Sequence, residues 1–517
     1  MHLRTVKHII HGCQYCLAVL AFVACAHDSG DDPLPEKWHG FTYQLTLSTS
    51  MAEGSTAAAK SEGLKAVGTD TWRQAETHDS PIAETSPRKA QQGPNGGEDG
   101  DGRQPGWERE TVVNDVTLLF YRGAAGINSA DGTVIEQAFY VDKEHLKRAV
   151  DATTKAVTYT TDVMQSPERM DNGAWHLLIL ANLGDQTAWK GHTLGELREA
   201  ILPTSQLYTQ TRPDDPTTAT DFVMTSESDA AVVLSSGSSE SSPNRLTATV
   251  ERMAARIDFS PGHDADGTER TMQTSPLTLT LDDGSNVSIS NYYRYDVADA
   301  MTGAVTAGQG DVFLLTHVTP FNLLSSGEYL FKRVRQSDGT LNYLGRETMD
   351  ADHRATNWVI DPWTLGKTAA QQPDDLTYGV PYADLDTETP LAVKQPETDN
   401  TDGTEHYYTL TYAAENTLIG SVPRSSYATG VQLRGYYGKR RGTDATGQPV
   451  YEYFAKTYTA YIRHADPQSE GSNDLPMKHG IVRNNLYRLV VNKFTSLDVE
   501  IIEVHPWHVI NVPRVDM

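Results

Sequence analysis

Residues suited to chemistry are few in this chain, and most lie near its ends. Cysteine occurs at Cys13, Cys16 and Cys25 and nowhere later in the 517 residues. The body of the chain therefore holds neither a disulfide nor a cysteine-ligated metal. Cys25 follows the apolar run Leu17 to Ala24, which is itself preceded by Arg4 and Lys7. A basic start, a short apolar stretch and a single cysteine have the form of a bacterial lipobox, in which Cys25 becomes the acylated first residue of the mature chain; an ordinary secretory signal cleaved nearby is the alternative. His8, His11, Cys13 and Cys16 carry zinc-type donors but sit inside the segment expected to be excised. His505 and His508 would face opposite sides of a strand, and Asp264 with Asp266 lacks the rest of a calcium loop. No phosphate loop, nucleophile elbow or HExxH pattern is present. The chain is expected to be no enzyme and to need no cofactor and no metal.

The surrounding elements are strands. Lys and Arg number 43 against 68 Asp and Glu, a net charge of −25, which argues against a nucleic-acid backbone as partner. Phe41, Tyr43, Leu45 and Leu47 alternate with polar residues and predict a half-buried strand. Ser48 to Arg109 has 62 residues with 9 Gly, 4 Pro and little apolar periodicity, so it is read as a flexible stretch. Its basic residues, Lys60, Lys65, Arg73, Arg88, Arg103 and Arg109, are open to a trypsin-like protease, with Arg73 favoured as the arginine nearest the first strand. Strands are expected at Val112–Tyr121 and Trp175–Leu183, a short helix at Leu194–Leu202, and one strand with a bulge at Glu251-Arg252 across Asn244–Phe259. After the polar turn HDADGT at 263–268, further strands are read at Leu277–Leu281, Val312–Leu323, Glu328–Val334, Tyr407–Ala413, Val431–Tyr437, Tyr458–His464 and Leu486–Lys493. Strands do not alternate with long helices, so the simplest architecture is two antiparallel sandwiches with decorated loops. Val499, Ile501, Val504, Trp507, Val509, Ile510, Val512 and Val515 carry an apolar run almost to Met517. That run is either the last strand of its own sheet or a strand that completes another molecule's.

Three segments resemble the fimbrillin family of Bacteroidales, and within it the stalk subunits of short, or minor, fimbriae of the Mfa type. They are GIVRNNLYRLVVNKFTSL at 480–497, VEIIEVHPWHVINVPRVDM at 499–517 and VERMAARIDF at 250–259, with weaker echoes in FVMTSES at 222–228 and YAAENT at 412–417. FTYQLTL at 41–47, after a lipoprotein leader, also fits. The resemblance implies an all-β chain of two transthyretin-like antiparallel β-sandwich domains in tandem, with long loops and minor helices. The implied layout is a signal peptide at 1–24, then a tether, removable first strand (41–47) and protease-sensitive segment over 25–109. An N-terminal domain at 110–265, a C-terminal domain at 266–500 and a donor strand at 501–517 complete it. It further implies lipidation at Cys25, export to the outer membrane, and cleavage by an arginine-specific or trypsin-like surface protease after Arg73, Arg88, Arg103 or Arg109. The opened groove would take the neighbour's C-terminal strand, with Val504, Trp507, Val509 and Val512 facing inward. Implied partners are other copies in a filament, anchor and tip subunits, and host or bacterial surface ligands, with no nucleic acid. A tip adhesin or accessory subunit is the alternative, supported by the insertion at 367–405. The stalk proteins carry a long Pro-rich connection before the donor strand, whereas Leu497–Glu500 leaves almost none here.

Overall fold

Runs of β-branched and aromatic residues dominate the chain, and they form strands nearly throughout. The computed structural model describes residues 41–49, 82–86, 108–150, 157–210, 219–235, 237–264, 267–299, 302, 304–325, 327–345, 356–362, 376–377, 383–384, 401–402, 405–417, 428–462, 480–496 and 499–502. Among these, one α-helix, Leu194–Glu199, stands beside short 3-10 turns, and Thr193 caps it in a reciprocal box with Glu196. The all-β expectation holds.

Two ten-stranded sheets organise the molecule. The first runs, in hydrogen-bonded order, Ile135–Val141, Val116–Tyr121, Gly173–Ala181, Met224–Ser226, Asn244–Arg252, Thr42–Thr49, Val157–Thr161 and Leu146–Val150. The second runs Tyr293–Asp296, Val312–Phe321, Gly430–Thr443, Pro449–Tyr461, Ile82–Ser86, Val499–Ile502, Leu486–Phe494, Ala255–Ser260 and Tyr408–Ala413. Each has its own apolar core, one around Leu118, Phe120, Leu178 and Leu180, the other around Ile257, Phe313, Leu433 and Leu489. Both sheets are mixed. Thr42–Thr49 lies parallel to Asn244–Arg252, and Ala255–Ser260 lies parallel to Leu486–Phe494, because each pair joins segments more than two hundred residues apart rather than a hairpin.

The structure revises several boundaries. Asn244–Phe259 is not one bulged strand. Asn244–Arg252 ends in the first sheet and Ala255–Ser260 begins the second, with fully buried Met253 and Ala254 between them. The irregularity read at Glu251-Arg252 marks this change of sheet, which falls ahead of the HDADGT turn. Val112–Tyr121 narrows to Val116–Tyr121, while the Val431 strand grows into a hairpin of Gly430–Thr443 with Pro449–Tyr461. Asp444 closes that hairpin, its carboxylate accepting from the amides of Thr446 and Gln448. Glu328–Val334 splits into Glu328–Tyr329 and Arg333–Gln336. Ile82–Ser86 forms a strand within the stretch read as structureless. Ile501 and Ile502 belong to the second sheet, so the division expected at 501 cuts through Val499–Ile502.

Gly435 shows how tightly the second sheet is packed. It sits opposite Leu315, and a Cβ there would lie 1.9 Å from the Leu314 carbonyl oxygen. Gly435→Ala should therefore lower the stability by about 1–3 kcal/mol through backbone displacement. Gly132→Ala, whose Cβ would meet nothing within 4 Å, should leave the urea midpoint unchanged. Equal midpoints for the two variants would contradict this packing.

Candidate functional site

The head strand, Thr42–Thr49, is held on both edges although it lies at the start of the described chain. On one side it pairs in parallel with Asn244–Arg252, from Tyr43 opposite Asn244 to Thr49 opposite Val250. On the other, Thr46 to Ser48 face Val157–Thr161 and Thr42 to Tyr43 face Met164–Gln165, both antiparallel. Phe41, Tyr43, Leu45 and Leu47 are 3% exposed or less and fill the first core. Tyr43 stacks on Phe139 at 6.0 Å, and burial pushes its hydroxyl pKa up to about 12. Side chains add to the main-chain ladder: the Phe41 amide donates to Ser166 Oγ and the Leu45 amide to Thr161 Oγ1, at 3.1 and 3.0 Å. Taking this strand away would leave an apolar trough between two strand edges whose N–H and C=O groups have lost their partners.

A second constellation lies where the chain changes sheet. Arg252, Arg256, Arg483 and Arg488 are all essentially fully buried. Arg256 Nη1 donates to both carboxylate oxygens of Glu110, at 2.9 and 2.8 Å, and its Nη2 donates to Asp258 at 3.1 Å. Arg252 Nε donates to the Glu110 carbonyl at 2.6 Å and its Nη1 to Asn484 Oδ1 at 3.1 Å. Asn484 holds a left-handed backbone (φ 59°) that lets its amide donate to the Ala254 carbonyl. Beside this group, Arg483 donates to Glu415 at 2.8 Å and to the carbonyls of Tyr329 and Leu330, with Glu328 3.6 Å away. Lys332 donates to Glu251 at 2.7 Å. Outside the charged centre, the Arg333 guanidinium lies 3.6 Å over the Tyr329 ring and that of Arg198 lies 4.5 Å over Tyr343. The letters of VERMAARIDF, YAAENT and GIVRNNLYRL thus meet in one sealed junction.

The charges are unevenly spread within the junction. Glu251, Glu328 and Glu415 face Lys332 and Arg483, so three buried carboxylates share two cations. Burial, only partly opposed by Lys332 and Arg483, raises Glu251 to about 7. Burial likewise raises Glu328, against the pull of Arg483. Glu110 goes the other way: burial would raise it, but Arg256 and Arg252 with the Tyr412 hydroxyl hold it below the ordinary carboxylate range.

Arg109 is the one expected cleavage position within the described residues, in the 3-10 turn Glu108–Thr111, next to buried Glu110. Cys25, Arg73, Arg88, Arg103, Val504, Trp507, Val509 and Val512 lie outside the described residues, as do Asp266, His505 and His508. Asp264 pairs with Arg270 at 3.0 Å. Among the described residues, no group of three or more His, Cys, Asp or Glu is placed to hold a metal ion. The sequence reading missed the buried ion junction altogether; Arg and Glu inside apolar strand runs were its only signal.

No protein-family model matches the chain, and no curated protein matches it. Among solved structures it is similar to a proposed cell adhesion protein from Parabacteroides distasonis, at 14% identity over 90% of this chain and 91% of that one, with a TM-score of 0.38. It is also similar to the C-terminally truncated tip fimbrial protein Mfa3 from Porphyromonas gingivalis, at 9% identity over 78% and 97%, TM-score 0.33. A third is a fimbrial assembly protein from Parabacteroides distasonis, at 10% identity over 89% and 94%, TM-score 0.32. Similarity at this level identifies neither partner nor activity.

The junction makes a prediction about pH. A glutamate whose folded pKa lies above its ordinary 4.5 stabilises the fold below that value and loses this contribution as pH rises through about 7. Stability measured by urea unfolding should therefore fall by a few kcal/mol between about pH 5 and about pH 8. Glu251→Gln, which removes that titrating carboxyl and keeps an acceptor for Lys332, should flatten much of that fall. An unchanged slope would show that the junction's charges do not set it.

Proposed function

We propose that the chain is a structural subunit of surface fimbriae that joins its neighbours by strand insertion. The observation that carries this reading is the head strand, an element bonded on both edges yet connected to the body only through the residues between Thr49 and Glu108. Cleavage in that interval separates it covalently from the slot it fills. Phe41, Tyr43, Leu45 and Leu47 contribute on the order of 6–12 kcal/mol gross when buried, so a slot of this size can make a durable joint for a replacement strand. The replacement is the C-terminal segment of a second copy, with Val504, Trp507, Val509 and Val512 turned inward. Each subunit then offers one slot and one strand, and a head-to-tail contact of this kind propagates into a filament.

The remaining steps fit the same scheme. Cys25 carries the lipid that takes the precursor to the outer membrane, and an arginine-specific or trypsin-like surface protease removes lipid and head strand together. Arg73, Arg88 and Arg103 are the proposed positions. Cleavage after Arg109 would place a new ammonium group on Glu110, whose backbone and carboxylate are engaged by Arg252 and Arg256, so that position is the least favoured. In this scheme the filament's other partners are anchor and tip subunits and the surface ligands to which the cells adhere.

Deleting 503–517 tests the scheme while sparing Val499–Ile502, a strand of the second sheet. The truncated chain should unfold cooperatively with a midpoint within about 2 °C of the intact chain. It should form no filaments or SDS-resistant ladders. Filaments from the truncated chain would overturn the proposal. Trp507→Asp should weaken the joint while the isolated subunit stays folded, because the charge enters a pocket only on assembly. Cys25→Ser should abolish incorporation of a fatty-acid analogue; retained label would remove the lipid step.

A further inference from the structure

Ile82–Ser86 occupies a position that the strand-insertion scheme does not require. It lies in the second sheet, parallel to the end of Pro449–Tyr461, with Ile82 opposite Thr459 and Glu84 opposite Tyr461. Further along, it lies parallel to Val499–Ile502, with Thr85 opposite Ile501 and Ser86 opposite Ile502. Val499–Ile502 bonds on its other edge to Leu486–Phe494. The strand from which the C-terminal segment departs is therefore gripped on both edges, and one grip comes from the interval that holds the proposed cleavage positions. Pro81 and Pro87 bracket the gripping strand. Neither has an N–H to give, so the ladder cannot lengthen beyond five residues. The pairing reaches Ile501 and Ile502, the two residues next to the C-terminal segment, and is short enough to be released.

We propose that Ile82–Ser86 is a self-inhibitory clasp that holds the root of the C-terminal segment in its own sheet until proteolysis removes it. The proposal rests on the strand-insertion reading and adds the regulation of its donor end. Its consequence is positional. A cut after Arg73 frees the head strand but leaves the clasp joined to the body, which continues to Glu110. A cut after Arg88 or Arg103 takes the clasp away with the head piece. One cut beyond Ser86 thus opens the acceptor slot and releases the donor root together, while a cut before Ile82 opens the slot alone. A precursor with both elements seated has a filled slot and a restrained tail, which prevents assembly before the chain reaches the surface.

The test uses full-length chain and an arginine-specific protease, with each product identified by its N-terminal sequence. Arg88→Gln with Arg103→Gln directs the cut to Arg73; Arg73→Gln with Arg103→Gln directs it to Arg88. The Arg88 product should assemble. The Arg73 product should lose its head strand yet assemble at least about tenfold more slowly, with slow amide exchange across Val499–Ile502. Adding Ala83→Pro and Thr85→Pro to the Arg73-cut chain should speed both assembly and exchange, and five glycines in place of 82–86 should do the same. Equal assembly rates for the two products, or exchange unchanged by both clasp variants, would overturn the clasp. Faster exchange in the clasp variants with no assembly of any product would sustain the clasp and sink the strand-insertion reading instead.

Discussion

Arg256 holds both carboxylate oxygens of Glu110 where water does not reach, and the molecule is arranged around that pair. Breaking a buried, hydrogen-bonded ion pair from one side costs about 3–5 kcal/mol, because the remaining charge stays behind unpaired. Glu110 follows the long interval after the head strand, and Arg256 stands on Ala255–Ser260, where the chain passes from Asn244–Arg252 of the first sheet into the second. The pair therefore fixes where the body of the fold begins. Everything between Thr49 and Glu108 can be cut without disturbing it. A covalent connection, whatever its path, keeps the head strand at an effective concentration on the order of mM at its slot. Once cut, the same strand must rebind as a separate molecule. The proposed switch thus needs no change in contacts, only a change from unimolecular to bimolecular binding.

The charges at the junction answer a backbone problem. Where the chain leaves one sheet and enters another, carbonyls lose their ladder partners, and a buried carbonyl without a donor is costly. Here those of Glu110, Tyr329 and Leu330 each receive an arginine N–H, and that of Ala254 receives the Asn484 amide. Arginine suits this task because its fork of donors can serve a carbonyl and a carboxylate at once. The carboxylates then follow to compensate the guanidiniums, and around Lys332 and Arg483 three of them share two cations. The proton this retains on Glu251 or Glu328 is a by-product of bridging two sheets with side chains.

How much could be read beforehand depended on whether the signal was local. Alternation revealed the head strand because one of its faces lies on the core, and it located Gly173–Ala181, Tyr408–Ala413 and Leu486–Phe494 to within about two residues. Leu146–Val150 and Val157–Thr161 escaped, since LKRAV and VTYTT carry too little apolar contrast to stand out. The break at Met253-Ala254 resembled a bulge because both produce a slip in parity. The choice between them is made by Asn484 and Arg488, more than two hundred residues away. Ile82–Ser86 was illegible for the same reason: its pairing lies with strands near the other end of the chain. Arginines 252, 256 and 488 fall within expected strands and Arg483 just before one, and charge on a strand ordinarily faces water. Nothing local says that their faces meet one another.

The slot also constrains any strand proposed to fill it. Its inward pockets are spaced every second residue, as Phe41, Tyr43, Leu45 and Leu47 show. Main-chain pairing is nearly indifferent to sequence, so recognition depends on that alternate row. In the C-terminal segment, Trp507 and Val509 share one parity while Val504 and Val512 share the other. An unbroken strand that seated Trp507 and Val509 would next present Asn511 and Pro513 to the aliphatic pockets of Leu45 and Leu47. Two residues bulged at Ile510-Asn511 would bring Val512 back into the row, and Pro513, which has no N–H to donate, would then fall at the end of the ladder rather than within it. A donor with that bulge places its one large aromatic residue at the end where Phe41 and Tyr43 now sit and its valine where a leucine sits. In that register the tail from Trp507 onward runs aromatic first and aliphatic after, as the slot does. Val504, which precedes Trp507 on the opposite parity, joins the inward row only through a second irregularity near Pro506.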